Sequence, residues 1–151
     1  MCITKQNNNL SNANISDLFR INQLLESEHL PVVDPKEFTN YFYKVTNDQN
    51  TTIGAIGLEI YGNYGLLRSM VVDKNYRNKG IANLLVEQIM EISKGLDLHE
   101  VYLLTTTADK YFLRKGFEVK KRENCPVKIK ESKEFSSICP ASSVLMSRKT
   151  R

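Results

Sequence analysis

No stretch of this chain approaches the ~18–20 consecutive apolar residues needed to cross a bilayer, so a membrane-spanning helix is not expected. The opening residues, Met1-Cys2-Ile3-Thr4-Lys5-Gln6-Asn7, also lack the apolar core of a secretory signal. Cysteine is scarce. Cys2, Cys125 and Cys139 are odd in number and widely separated, with no CxxC pair and no zinc spacing. Neither a disulfide framework nor a metal centre is expected to organise the fold, and a reducing, cytoplasmic setting follows. One-sided charge is missing as well. With 21 basic and 17 acidic residues the net charge is +4, too mild for a nucleic-acid-binding face but suited to a small polyanionic ligand. The basic run Lys120-Lys121-Arg122 reads as solvated surface.

What is present is ordinary for a globular chain: 151 residues, 41% hydrophobic and 25% charged. A chain of this size buries ~70% of its unfolded surface and needs no staple. No repeat or linker divides it, so one α+β domain over residues 1–151 is expected. The asparagine-rich segment Gln6 to Asn14 reads as a loop behind a short first strand. Asn14-Ile15-Ser16-Asp17 offers N-cap residues before Leu18, Ile21, Leu24 and Leu25, whose spacing makes one apolar helix face ending near His29-Leu30-Pro31. A second short helix is predicted from Asp34, with Pro35 at its first position.

Strands are predicted over Tyr41–Thr46, Thr52–Tyr61 and Leu66–Asp73, joined by turns at Asn47–Asn50 and Gly62–Gly65 into an antiparallel meander. The period then changes. Ile81, Leu84, Leu85, Gln88, Ile89 and Ile92 mark an amphipathic helix from Gly80 to about Lys94, stopped by Gly95. Val101–Thr105 reads as a buried strand, Ala108–Lys115 as a short helix ending at Gly116, and Phe117-Glu118-Val119 as a return to β structure. Glu131–Ser136 is a helical turn and Ser143–Met146 a final strand.

The segment richest in chemistry is the strand–turn–helix passage from Leu66 to Ala82. Gly80 and Ala82 stand at the first turn of the helix, where a bulky side chain would obstruct a ligand. The first N–H groups of any helix lack internal partners and carry the positive end of its dipole, so the terminus suits an anion. Arg77 and Lys79 add charge beside it. An ordinary strand–helix connection with a small residue at a close contact would use the same residue types.

Arg77-Asn78-Lys79-Gly80-Ile81-Ala82 resembles the R/Q-x-x-G-x-G/A signature of the GNAT acetyltransferases. Ala108-Asp109-Lys110-Tyr111-Phe112-Leu113-Arg114-Lys115-Gly116-Phe117 resembles their second motif, A-x-x-x-Y-x-x-x-G-F. The resemblance implies a mixed, mostly antiparallel twisted sheet, splayed near its middle and flanked by helices on both faces. It implies acetyl-CoA as co-substrate, with main-chain amides from Asn78 through Asn83 cradling the pyrophosphate. Met70, Val71 and Val72 would hydrogen-bond the pantetheine arm, and Thr105 would lie near the thioester. Gly57-Leu58-Glu59-Ile60-Tyr61-Gly62, Gly65-Leu66-Leu67-Arg68-Ser69, Tyr102-Leu103-Leu104-Thr105-Thr106-Thr107-Ala108 and Phe135…Cys139-Pro140-Ala141-Ser142 narrow the resemblance to the arsenic-resistance N-acetyltransferase branch. That branch is related to the enzymes that make N-acetylglutamate, and it raises a homodimer as an assembly. Phe112 departs from the family pattern, because it stands where many members carry the tyrosine that protonates the leaving thiolate. Tyr111 is one residue away and rotated by ~100° on a helix.

Acetylation of an amine requires loss of a proton, and Glu59 is the candidate acceptor, directly or through water. It interrupts the apolar run Ile53–Ile60, where a charge needs a partner. A two- or four-residue hairpin connection puts Arg68 on the same face, and a loop of Gly62–Gly65 puts it directly opposite. The pair either supports the sheet or binds substrate, with Arg68 gripping an acceptor carboxylate and Glu59 orienting the amine. Thr107 is read as a helix N-cap, His29 and His99 as surface residues, and Leu30-Pro31-Val32-Val33-Asp34, by analogy, as an acceptor mouth. The spacing of Cys125 and Cys139 promises no convergent sulfurs, so trivalent-arsenic binding is rejected. The leading expectation is acetyl transfer to the amine of a small amino-acid-like molecule, without nucleic-acid or membrane partners. The alternatives are a protein N-terminus, polyamine or aminoglycoside acceptor, or a non-catalytic acyl-CoA-binding module.

Overall fold

Leu18, Ile21, Leu24 and Leu25 lie on the buried side of the first α-helix, α1 (Leu18–Ser27), in a computed structural model that describes residues 8–138 and 141–151. The other elements are β1 (Asn9–Asn12), β2 (Phe42–Thr46), β3 (Thr52–Tyr61), β4 (Tyr64–Val72), α2 (Ile81–Gly95), β5 (Glu100–Thr105), α3 (Asp109–Arg114), β6 (Glu118–Val119), α4 (Val127–Lys130) and β7 (Val144–Lys149). The strands follow the order β1-β2-β3-β4-β5-β7-β6. β4 and β5 pair in parallel, whereas β1–β2, β2–β3, β5–β7 and β6–β7 are antiparallel. Contacts divide the chain into two compact units: residues up to Gly57 with Ser69–Ile89, and Leu58–Arg68 with Met90–Arg151.

In the first unit, the apolar face of α1 packs with Val33, Phe42, Ala55 and Val71. Ile81 and Leu85 of α2 crowd the position where Gly54 would carry a side chain. Successive strand residues point to opposite faces, so Gly54 and Ala55 receive α2 and α1 on opposite sides of β3. Leu84 of α2 instead faces solvent, and Val86 is buried in addition to Leu85 and Ile89, so the buried stripe is rotated relative to the sequence expectation. β1 corrects the reading of Asn9–Asn12 as loop. Its backbone pairs with β2, from Asn9↔Thr46 to Asn12↔Tyr43, and ladder hydrogen bonds override the poor β-propensity of asparagine. The short strand expected ahead of Gln6 lies outside the described residues. The helix expected from Asp34 is a single 3-10 turn, Pro35–Glu37, whose N-cap Asp34 accepts the Lys36 N–H.

In the second unit, Leu66, Tyr102, Cys125, Ile129 and Leu145 form a buried cluster with Tyr61, Tyr64, Leu104 and Phe135 packed against it. The β3–β4 connection is the two-residue turn Gly62-Asn63, tighter than the four-residue loop expected, with Gly62 at φ +64°. The segment after β6 folds into a 3-10 turn at Arg122–Asn124, then α4 and a wide turn at Glu134–Ile138. Of these, the sequence signals only the last, as a helical turn at Glu131–Ser136. β7 extends to Lys149, further than expected, and pairs with all six residues of β5. No helix among the described residues is long and apolar enough to cross a membrane.

Gly57 of β3 sits directly opposite Phe42 of β2, and a β-carbon there would lie 2.5 Å from the Phe42 ring. That ring is fully buried and stacked on Phe38 with centroids 4.9 Å apart, so it has nowhere to retreat. Gly57→Ala is expected to lower stability by about 1–3 kcal/mol in urea unfolding. Combined with Phe42→Leu, the loss should be less than the sum of the two single losses. Simple additivity would contradict the assigned contact.

Candidate active site: an anion turn and a buried ion trio

The connection from β4 into α2 is built to hold a strained turn. Asp73 caps the 3-10 turn Lys74–Tyr76 by accepting the Asn75 N–H, and its other oxygen is 3.1 Å from Arg20. Its own N–H donates to the Ile53 carbonyl at 2.7 Å, and Asn47 donates to the Tyr76 hydroxyl at 2.9 Å. From this anchored base the chain passes through two left-handed residues, Asn78 at φ +62° and Gly80 at φ +80°. Asparagine tolerates that region better than most side chains, and glycine adopts it freely. A β-carbon on Gly80 would meet no atom within 4 Å, so protein packing does not demand the glycine. The backbone angle does.

The first ladder bond of α2 runs from the Leu84 N–H to the Gly80 carbonyl, 3.0 Å. The N–H groups of Ile81, Ala82 and Asn83 therefore precede the helical ladder, at the positive end of the helix dipole. Ile81 is buried, whereas Asn78, Lys79, Gly80 and Asn83 are exposed. The two expected cations differ. Lys79 extends over the Tyr76 ring, 5.3 Å from its centroid. Arg77 is paired with Glu28 at 2.5 Å, and that hydrogen bond is the main reason the Glu28 carboxyl is held below the usual range. Part of the Arg77 charge is thus already answered within the protein.

Upstream, β4 is kinked at Ser69, a non-glycine residue at φ +58° in mid-strand, as a β-bulge produces. Val71 is buried beyond the kink, and Met70 and Val72 are half-buried. β4 and β5 pair from Tyr64↔Glu100 to Leu66↔Tyr102 and, among the described residues, no further, although β5 continues to Thr105. The Thr105 hydroxyl accepts the Ala108 N–H at 2.9 Å. The N-cap of α3 is Ala108 rather than Thr107, because the turn is closed by Thr105 from three residues back.

The second unit also gathers three charges. Arg68 Nη1 lies 3.5 Å from Glu59 Oε2, and Nη2 lies 3.7 Å from Glu134 Oε2. The arginine side chain is 1% exposed, against 16% for Glu59 and 10% for Glu134. Counting back from the two-residue turn, Arg68 is diagonal to Glu59 rather than directly opposite, and both remain on one face. Burial first, then the Glu59 carboxylate and the hydrogen bond to it, push the Tyr61 phenol up to about 12, against the opposing pull of Arg68. Glu134 was not foreseen, since nothing local in the sequence ties that turn to β4. The neighbouring Glu131 and Lys133 are exposed, so charge alone does not single Glu134 out.

Residues 39–119, a little more than half of the chain, match the acetyltransferase (GNAT) domain family. The chain belongs to the GNAT family. Among curated proteins it is 36% identical over 63 residues to an uncharacterized N-acetyltransferase, CT2212, of Chlorobaculum tepidum, a match spanning 42% of this chain and 40% of the relative. Among solved structures it resembles N-acetylglutamate synthase of Neisseria gonorrhoeae, solved with coenzyme A and N-acetylglutamate. That similarity has a TM-score of 0.82 at 16% identity, over 98% of this chain and 36% of the synthase. A GNAT acetyltransferase of Staphylococcus aureus Mu50 gives 0.74 at 20% identity, over 96% of this chain and all of that one. The chain thus spans well under half the length of both the curated relative and the synthase. At these identities the structural likeness speaks for the fold.

Within this GNAT fold Phe112 is buried, edge-on to both Tyr111 and Phe117. It is a core residue of α3 and carries no ionisable group. Tyr111 takes the neighbouring position, with its ring 81° to that of Phe112. His29 and His99 are exposed. Cys125 is buried, which pushes its thiol up to about 11, and Cys139 lies outside the described residues. Of the suggested acceptor mouth, Leu30 and Val32 are exposed, whereas Val33 is buried and held by both ends of the Asn22 amide.

Because the folded-state value of Tyr61 lies above that of a free phenol, its contribution to stability is complete below about pH 10 and declines up to about pH 12. Tyr61→Phe is expected to flatten the fall of unfolding free energy across that interval. An unchanged slope would contradict the assigned environment.

Proposed function

We propose that the chain is an N-acetyltransferase that moves acetyl from acetyl-CoA to the primary amine of a small, amino-acid-like acceptor. The observation that carries the reading is the approach to α2 through left-handed Asn78 and Gly80, which leaves the N–H groups of Ile81, Ala82 and Asn83 ahead of the helical ladder. Such a terminus suits a diphosphate, and the open ground over Gly80 and the exposed Lys79 fit one. In this reading Met70, Val71 and Val72, next to the kink at Ser69, offer main-chain groups to the pantetheine arm, and Thr105 lies near the thioester. The quoted residues of β3, β4 and β5 support the arsenic-resistance branch, and the fold shared with N-acetylglutamate synthase supports an amino-acid-like acceptor.

The chemistry balances without a metal or redox partner. The amine nitrogen attacks the thioester carbonyl carbon, the new C–N bond forms and the C–S bond breaks. Glu59 accepts the amine proton, directly or through water. Coenzyme A leaves as a thiolate and takes its proton from solvent, which accommodates phenylalanine at position 112.

Acetyl-CoA incubated with a panel of amino acids, with free-thiol release followed and products weighed by mass spectrometry, tests the reading. Turnover with at least one amino acid is expected, reduced roughly 10²–10⁴-fold by Glu59→Gln. Gly80→Val, which forces a β-branched residue into a left-handed angle at the turn, is expected to weaken acetyl-CoA binding. Tight coenzyme A binding without turnover across the panel would instead favour a non-catalytic acyl-CoA-binding module.

A further inference from the structure

Building on the transferase reading, we propose that Arg68 and Glu134 are positioning residues that act through Glu59. The acceptor would then be read here by its amine, with no carboxylate of the acceptor gripped by Arg68. Arg68 is the natural residue for a carboxylate because its fork matches one in shape and charge. Its surroundings assign it other work. Each of its two terminal nitrogens already faces a carboxylate, and only 1% of the side chain is exposed. Glu59, at 16%, is the most exposed member of the trio. Within the trio one guanidinium stands against two carboxylates, so its charge is already answered inside the protein.

The surroundings also explain why Glu134 stays put. It lies on a wide turn, Glu134–Ile138, between α4 and β7. Ser132, itself buried, pins that turn: its hydroxyl accepts the Phe135 N–H, and its carbonyl accepts both the N–H and the hydroxyl of Ser136. The Phe135 ring lies under the Arg122 guanidinium at 4.9 Å, and Arg122 in turn donates to the Ser143 carbonyl. Glu134 faces Arg68 at 3.7 Å, Arg68 faces Glu59 at 3.5 Å, and the Tyr61 phenol lies beside the same Glu59 carboxylate. A carboxylate flanked by a guanidinium and a phenol meets the geometric demand of a positioned proton acceptor.

The test compares amino acids with the amines that lack only the carboxylate: leucine with 3-methylbutylamine, and glutamine with 4-aminobutanamide. Arg68→Lys, Glu134→Gln and Glu134→Asp are assayed by thiol release, with thermal unfolding confirming that each variant folds. Arg68→Lys and Glu134→Gln should each lower kcat roughly 10–100-fold, by the same factor for both members of a pair and with KM for the acceptor unchanged. Glu134→Asp should recover part of the loss. A rise of tenfold or more in KM for the amino acid alone in Arg68→Lys would overturn the proposal, because it places the arginine on the acceptor's carboxylate. Unchanged kinetics in Glu134→Gln would overturn it too, and that isosteric variant carries the test if Arg68→Lys does not fold. Where another amino acid of the panel is the better acceptor, it and its decarboxylated amine take the place of these pairs; coenzyme A binding without turnover of any panel member would mark a different failure, that of the transferase reading itself.

Discussion

A helix can offer its first N–H groups to a ligand only if the chain enters it without covering them, and here that entry is set by two backbone angles. Asn78 and Gly80 both turn left-handed, and the helical ladder of α2 starts only at the Leu84 N–H. The angles are held from below by Asp73, which is tied to Asn75, Arg20 and Ile53, and by the contact of Tyr76 with Asn47. Ser69, within the β4 strand that leads into this turn, is another non-glycine residue in the costly left-handed region.

The second constraint is electrostatic. A guanidinium as buried as that of Arg68 cannot stay in an apolar interior without partners, and removing one partner of such a group is far more costly than the pair is worth. The chain meets the demand with two carboxylates from distant segments, Glu59 on β3 and Glu134 on the turn before β7. That arrangement brings an acid otherwise out of place in an apolar strand to a fixed position beside a phenol. Structure and proposed chemistry rest on the same three side chains.

Much of this was legible in the sequence, and what was not has identifiable physical reasons. The stripe of Leu18, Ile21, Leu24 and Leu25 announces α1, and the long run Thr52–Tyr61 announces β3, because period and propensity agree there. The face shared by Glu59 and Arg68 followed from hairpin parity alone. The backbone pairing of Asn9–Asn12 did not, since an edge strand held by its ladder leaves no mark in side chains. α4 is a single turn introduced by Pro126 without a side-chain cap, too short to show a period. Glu134 escaped notice because a long-range ion pair has no local signature. The pairing of Arg77 with Glu28 escaped for the same reason.

The central claim concerns main-chain amides, so the most direct measurement observes them. In a backbone-assigned nitrogen-15 spectrum titrated with coenzyme A, the account predicts the largest amide shifts at Asn78 through Asn83. A parallel titration with pantetheine, which has no diphosphate, should leave those amides in place. Saturable coenzyme A binding with the amides of Ile81, Ala82 and Asn83 unmoved would contradict it.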